Sequence, residues 1–157
     1  MHDPNCVFCK IIAGAIPSAK VFESENVLAF LDIQPMEKGH VLVIPKRHWP
    51  TLMDVPVEIA EDIACFEELM YIVRVAAKAV RRDFADGVNI LQCNGPGAGQ
   101  TVSHLHFHVI PRYGSDAVQP AWQSGHGRYA NDAERADYAK RIAAAIATII
   151  KEEDLIG

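Results

Sequence analysis

The sequence predicts an α+β fold, an antiparallel β-sheet of about five strands with one long central helix and a C-terminal helix. Short β-like runs follow one another across polar or glycine turns, and such neighbours pair antiparallel with helices packed on them. Two long stretches instead carry apolar residues at threes and fours, the helical period. The chain has 157 residues and is 50% hydrophobic, enough for a real core. With no internal repeat, low-complexity stretch or long linker, residues 1–157 read as a single domain. Within it, 1–14 form an N-terminal cysteine-pair segment and 113–157 a C-terminal tail and helix.

In chain order, Lys10 to Gly14 reads as a short helix ended by its glycine, with Pro17 close behind. Lys20–Glu23 and Val27–Ile33 are strands around the polar turn Ser24-Glu25-Asn26, and Gly39 opens a third at His40–Pro45. Pro56 is placed to start a long helix reaching about Phe84, with Ile59, Ile63, Phe66, Met70, Val73, Ala77 and Val80 at helical spacing. Further apolar residues of this helix, Leu69 and Ile72 among them, suit burial on two sides. Gly87–Gln92 is a short strand closed by the loop Gly95 to Gly99, and Val102–Ile110 is the next. The last element, Asn131–Glu153, carries Tyr138, Ile142, Ile146 and Ile149 on one helical stripe.

Composition excludes several functions. The formal charge is −5 and no basic tract stands out, which argues against a nucleic-acid polymer as partner but not against one nucleotide. No apolar run reaches membrane-spanning length, and the N-terminus lacks the basic start and hydrophobic middle of a signal peptide. These points lead us to expect a cytoplasmic protein without a membrane partner. In such a reducing compartment Cys6 and Cys9, a C-x-x-C pair, read as half of a metal site rather than a disulfide. Cys65 reads as a buried thiol, and His2 and His126 as surface residues.

The run His104-Leu105-His106-Phe107-His108 carries the chemistry. On a strand its three imidazoles share one face, while Leu105, Phe107 and Val109 take the other and pack under a helix. Individually satisfied histidines are the bland alternative. One three-histidine metal site is ruled out by reach, since residues four apart on a strand are about 13 Å apart at Cα. At least one imidazole is therefore left for other work. A neutral imidazole is a good nucleophile near pH 7, and a neighbouring one holds phosphate oxygens. The loop Asn94 to Thr101 leads into this run, and its glycines and amides suit a phosphate although it is neither a Walker nor a Rossmann loop.

Cys6 to Gly14, Ala29 to Ile33, Gly39 to Lys46 and above all Gly97 to Arg112 together resemble the histidine-triad (HIT) family, in its bacterial Hint-like branch. The resemblance covers most of the chain and implies a HIT-like fold and a homodimer whose sheets join across the interface. It implies that His106 attacks the α-phosphorus to form a covalent nucleotidyl-histidine, that His108 holds the α-phosphate, and that His40 supports the nucleophile's orientation. Asp32 would accept the ribose hydroxyls, Ile33 and Ile12 would line the base pocket, and Gly99, Gln100 and Thr101 would bind phosphate oxygens or the leaving group. Many relatives have Asn or Gln where this chain has Cys93, a poorer hydrogen-bonding partner, and Asn94 stands beside it as a substitute. The same resemblance completes a structural Cys₂His₂ zinc site with Cys6, Cys9, His48 and His104, and implies no organic cofactor.

The reading is thus a hydrolase or transferase acting on purine nucleoside 5'-phosphoramidates or related adenylylated compounds. A dinucleoside polyphosphate hydrolase of the Fhit-like type shares His106 and differs in leaving group. A zinc-stabilised nucleotide-binding protein without turnover is the alternative from another class.

Overall fold

Strands β2 (Val27–Leu31) and β3 (Val41–Pro45) are buried at every position, because the sheet that holds them is covered on both faces. The computed structural model describes residues 3–114 and 129–154. With β1 (Lys20–Glu23), β4 (Gly87–Leu91) and β5 (Phe107–Arg112) they form one sheet in the order β1-β2-β3-β5-β4, antiparallel throughout. Val27, Ala29, Leu31, Val41 and Val43 face the main core, under the helices α2 (Ala60–Asp83) and α3 (Asp132–Asp154). Leu28, Phe30, Leu42 and Ile44 face the other way, onto Phe8 and Ile11 of the short helix α1 (Val7–Ile12). No described helix is long and apolar enough to cross a membrane.

Several boundaries differ from the sequence reading. Helix α1 starts at Val7 and so includes Cys9, because Cys6 caps it: the Cys6 Sγ accepts the Cys9 N–H at 3.4 Å. Helix α2 begins at Ala60 rather than Pro56, since the first helical bonds go to the carbonyl of Ile59. Its buried residues are Asp62, Cys65, Leu69, Ile72, Val73, Val75, Ala76, Ala79 and Val80, while Ile63 and Met70 of the expected stripe are exposed. The buried set is offset because it contains Asp62, a residue that hydrophobic spacing cannot flag; it is buried against Arg47, to which it is ion-paired.

The largest difference concerns the histidine run. Strand β5 begins at Phe107, not Val102, so of the three histidines only His108 lies in the ladder, opposite Leu42 and Leu91. Residues 101–106 spend their backbone groups elsewhere: Leu105 N–H goes to Trp49 O at 2.6 Å, and the His104 and Val102 carbonyls accept from side chains. The expected burial still holds, with Leu105, Phe107 and Val109 in the main core.

Candidate active site and metal centre

Two clusters of nitrogen, sulfur and oxygen donors lie at opposite ends of the histidine run. Burial removes all four imidazoles of His40, His104, His106 and His108 from water, with none more than 9% exposed. Each ring therefore has to find its hydrogen bonds inside the protein, and those bonds fix its tautomer.

At the first end, the His104 Nε2–H donates to Pro45 O at 2.9 Å, which leaves Nδ1 as a lone pair. That Nδ1 lies 3.5 Å from Cys6 Sγ and 3.7 Å from Cys9 Sγ, and Cys9 Sγ is 3.4 Å from His48 Nδ1. A tetrahedral zinc with bonds of about 2.0–2.3 Å has ligand–ligand edges of roughly 3.3–3.8 Å, so these residues fit that ion. Both cysteines are free thiols, and burial raises the Cys9 thiol pKa. Asp3 Oδ2 stands 4.0 Å from the outer nitrogen of His48, where it can orient that ring. The Arg47–Asp62 pair anchors the segment before His48 to helix α2.

At the other end, Met36 N–H points at His40 Nδ1 at 3.2 Å. A backbone N–H can only donate, so His40 Nδ1 is an acceptor and its proton sits on Nε2. Nε2–H then donates to His108 Nδ1 at 3.0 Å, which leaves the proton of a neutral His108 on its own Nε2. His106 is ordered separately: its Nδ1–H donates to the His104 carbonyl at 2.6 Å, leaving Nε2 as a lone pair. The His106 and His108 rings meet edge to face with centroids 4.8 Å apart. Burial lowers the pKa of His40 to about 3, and burial followed by the neighbouring His40 and His106 does the same for His108. Burial also lowers that of His106, against the opposing pull of the His104 carbonyl and Asp32. All three rings are neutral near pH 7.

Asp32, His40 and His108 are close enough together for a cation, but the hydrogen bonds already account for the facing ring nitrogens. Asp32 Oδ1 accepts the Gln34 N–H at 2.8 Å, and its other oxygen lies 3.7 Å from His40 Nδ1, too far for a hydrogen bond.

The remaining candidates fall out unevenly. Ile33, 80% exposed, follows Asp32 directly, and Ile12 packs at the edge of the α1 cluster. Gly99 is exposed, with φ +86°, a conformation that favours glycine, and Thr101 beside it is exposed as well. Gln100 has a structural task in the loop. Its side chain is buried as the loop's internal clip, accepting Gly95 N–H and donating to the carbonyls of Pro50 and Val102. Asn94 is likewise occupied, by Leu52 N–H and Gln92, so it does not stand free in place of Cys93. Cys93 is buried. His2, His126 and the tail segment around Trp122 lie outside the described residues.

Two contacts escaped the sequence reading. Phe8 presents edge-to-face contacts to both His106 and His104, at 5.4 and 5.8 Å between centroids. Its place between the cysteines of a capped helical turn was the available signal. Met36, whose backbone sets the His40 tautomer, carries none.

A neutral histidine pair beside a Cys₂His₂ cluster, on this five-stranded sheet, defines a histidine-triad protein, and the chain belongs to the HIT family. The HIT domain family model matches residues 13–115. Protein hit of Bacillus subtilis is 48% identical over 122 residues, which is 76% of this chain and 80% of that protein. The adenosine 5'-monophosphoramidase HNT1 of Saccharomyces cerevisiae is 46% identical over 110 residues, 70% of this chain and 64% of its own. A crystal structure of a Zn-bound histidine triad family protein from Mycobacterium smegmatis matches with a TM-score of 0.74 at 34% identity, covering 94% of this chain and 97% of that one.

Proposed function

We propose that the protein hydrolyses purine nucleoside 5'-phosphoramidates or related adenylylated compounds through a covalent nucleotidyl-histidine on His106. The observation that carries this reading is the ordering of the pair: His106 Nε2 is a lone pair in a neutral ring, and beside it His108 carries a proton on Nε2. A nucleophile and a donor for the phosphate it attacks are thereby set side by side. In the first step the His106 Nε2 lone pair bonds to the α-phosphorus, the P–N bond to the amine breaks, and the amine nitrogen takes a proton from solvent water as it leaves. His106 Nδ1–H stays on the His104 carbonyl and shares the charge its ring acquires. His108 Nε2–H donates to a non-bridging phosphate oxygen, and its Nδ1 remains held by His40. Water then attacks phosphorus and gives up a proton to solvent, which balances the one the amine took, the P–Nε2 bond breaks, and the nucleoside monophosphate leaves with His106 neutral again. Asp32 accepts the ribose hydroxyls, Ile33 and Ile12 flank the base, and Thr101 with the Gly99 backbone contacts the leaving group. The phosphoramidase relative supports the substrate class.

Rapid quench with adenosine 5'-phosphoramidate labelled in the phosphate, followed by mass spectrometry, tests the intermediate. The label is expected on His106 in the peptide spanning 104–112, and no adduct there would overturn the mechanism.

The metal site is read as a retained structural zinc held by Cys6, Cys9, His48 and His104; when bound it supplies a cross-link and no open coordination position. The protein acts in the cytoplasm as a homodimer. Strand β4 is a sheet edge, and Ile90 on it is exposed with Met70 of α2 beside it, which suits pairing with the same edge of a second copy. Sedimentation at micromolar concentration should give the mass of two chains; a single-chain mass would overturn the dimer.

A further inference from the structure

The backbone N–H of Met36 makes His40 Nδ1 an acceptor, and Met36 lies in the 33–39 loop between β2 and β3. The loop closes on itself through Asp32 N–H to His40 O at 3.0 Å and His40 N–H to Glu37 O at 3.0 Å. Its far side is held by a distant part of the chain. Gly39 N–H donates to the Tyr129 hydroxyl at 2.9 Å, and Lys38 Nζ pairs with Glu134. Glu134 is itself fixed, because its carboxylate accepts Ala130 N–H while its own N–H donates to Asn131 Oδ1.

Gly39 leaves little slack. Its φ is +90°, and a Cβ there would meet Pro111 Cγ at 3.4 Å and Tyr138 Cδ1 at 3.6 Å. Tyr138 packs edge-on against Tyr129, with centroids 5.5 Å apart, and stacks on Phe84 at 5.1 Å. Tyr129 is partly buried, and burial raises its pKa to about 12, so the hydroxyl stays neutral.

We propose that Tyr129 is a positioning residue for His108: by holding Gly39 it keeps Met36 N–H on His40 Nδ1, and so keeps the His108 proton on Nε2. Without that donor, His40 can place its proton on Nδ1 instead and accept at Nε2. His108 is then driven to carry its proton on Nδ1 and presents a lone pair to the phosphate oxygen, which repels it. The beginning of the C-terminal helix region thus sets a proton position across the sheet from it.

The inference rests on the hydrolase reading for its consequence, but not for its geometry, and the test separates the two. In ¹⁵N-histidine-labelled full-length protein without substrate, two-bond ¹⁵N–¹H spectra should show His40 as a single Nε2–H tautomer. In Tyr129→Phe, which deletes only the hydroxyl, His40 should show a mixture of both tautomers. With adenosine 5'-phosphoramidate, kcat should fall about 5- to 10-fold in that variant while KM moves less than twofold, at temperatures where it is fully folded. If Tyr129→Phe does not fold, Lys38→Met and Glu134→Gln carry the test through the neighbouring contact, with a smaller shift in the same direction. A folded variant with an unchanged His40 spectrum overturns the proposal whatever its activity. A shifted spectrum in a protein whose wild type does not turn over the phosphoramidate sustains the positioning and rejects the hydrolase reading.

Discussion

Substituting His106 by alanine should reduce kcat/KM for adenosine 5'-phosphoramidate by on the order of 10⁴-fold or more, about 5.5 kcal/mol of transition-state stabilisation. The expectation is that large because the ring supplies the bond-forming atom rather than a contact to it. The side chain removed is nearly buried and packs on Phe8 and His108, so some stability is lost as well. Affinity for the nucleoside monophosphate should nevertheless stay within a few-fold, since Asp32 and His108 remain. The pH dependence follows from the same geometry. Burial holds the folded His106 below the usual imidazole value of 6.5, so the reactive neutral form persists as pH falls through that value. Wild-type kcat/KM should therefore be level from pH 8 to 6.5, with its acid limb lower. An alanine variant that retains a tenth of wild-type turnover, or an acid limb centred above 6.5, would reject His106 as the nucleophile.

The sequence carried the layered fold well because its signals are local. Strands β1, β2, β3 and β4 declare themselves as short apolar runs between turn residues, and the two long helices by their period. Both cysteines and His48 were also accessible, through the resemblance, and the structure brings them to His104. What could not be read was where the backbone leaves the ladder. Alternation put His104, His106 and His108 on one strand face, yet the chain bends before Phe107. The cause is a set of bonds from Gln100, Trp49 and the His106 ring that link positions without any periodic signature. The same bend gives His104 its two outlets, ring to the cysteines and carbonyl to His106. Gln100 shows another non-periodic link: a polar residue in a glycine loop reads as a ligand contact, and its buried side chain also serves as the loop's internal strut.

On the proposed reading, that double use of His104 makes a zinc bound to this cluster more than a staple. Replacing Cys6 and Cys9 together by serine should lower the metal content from about one zinc per chain to none, with a loss of about 4 kcal/mol of stability. That figure is the linkage energy for free zinc at about a thousand times Kd. For a chain of this length it corresponds to a fall in Tm of roughly 10 °C. The four ligands come from α1 and its N-cap, from the segment after β3 and from the segment before β5, so loss of the ion frees three parts of the chain from one another. Serine preserves the shape but not the soft thiolate donors that hold the ion. With the cross-link gone, the His104 ring loses its tie to the two cysteines, and the carbonyl that aligns His106 Nδ1–H is held less firmly. Turnover should fall about tenfold with KM nearly unchanged, a loss of alignment rather than of binding. Metal analysis beside thermal unfolding decides it. If wild type and variant hold the same negligible zinc and melt together, the cluster is a pair of reduced thiols packed against two histidines, and the coupling from metal to nucleophile does not exist.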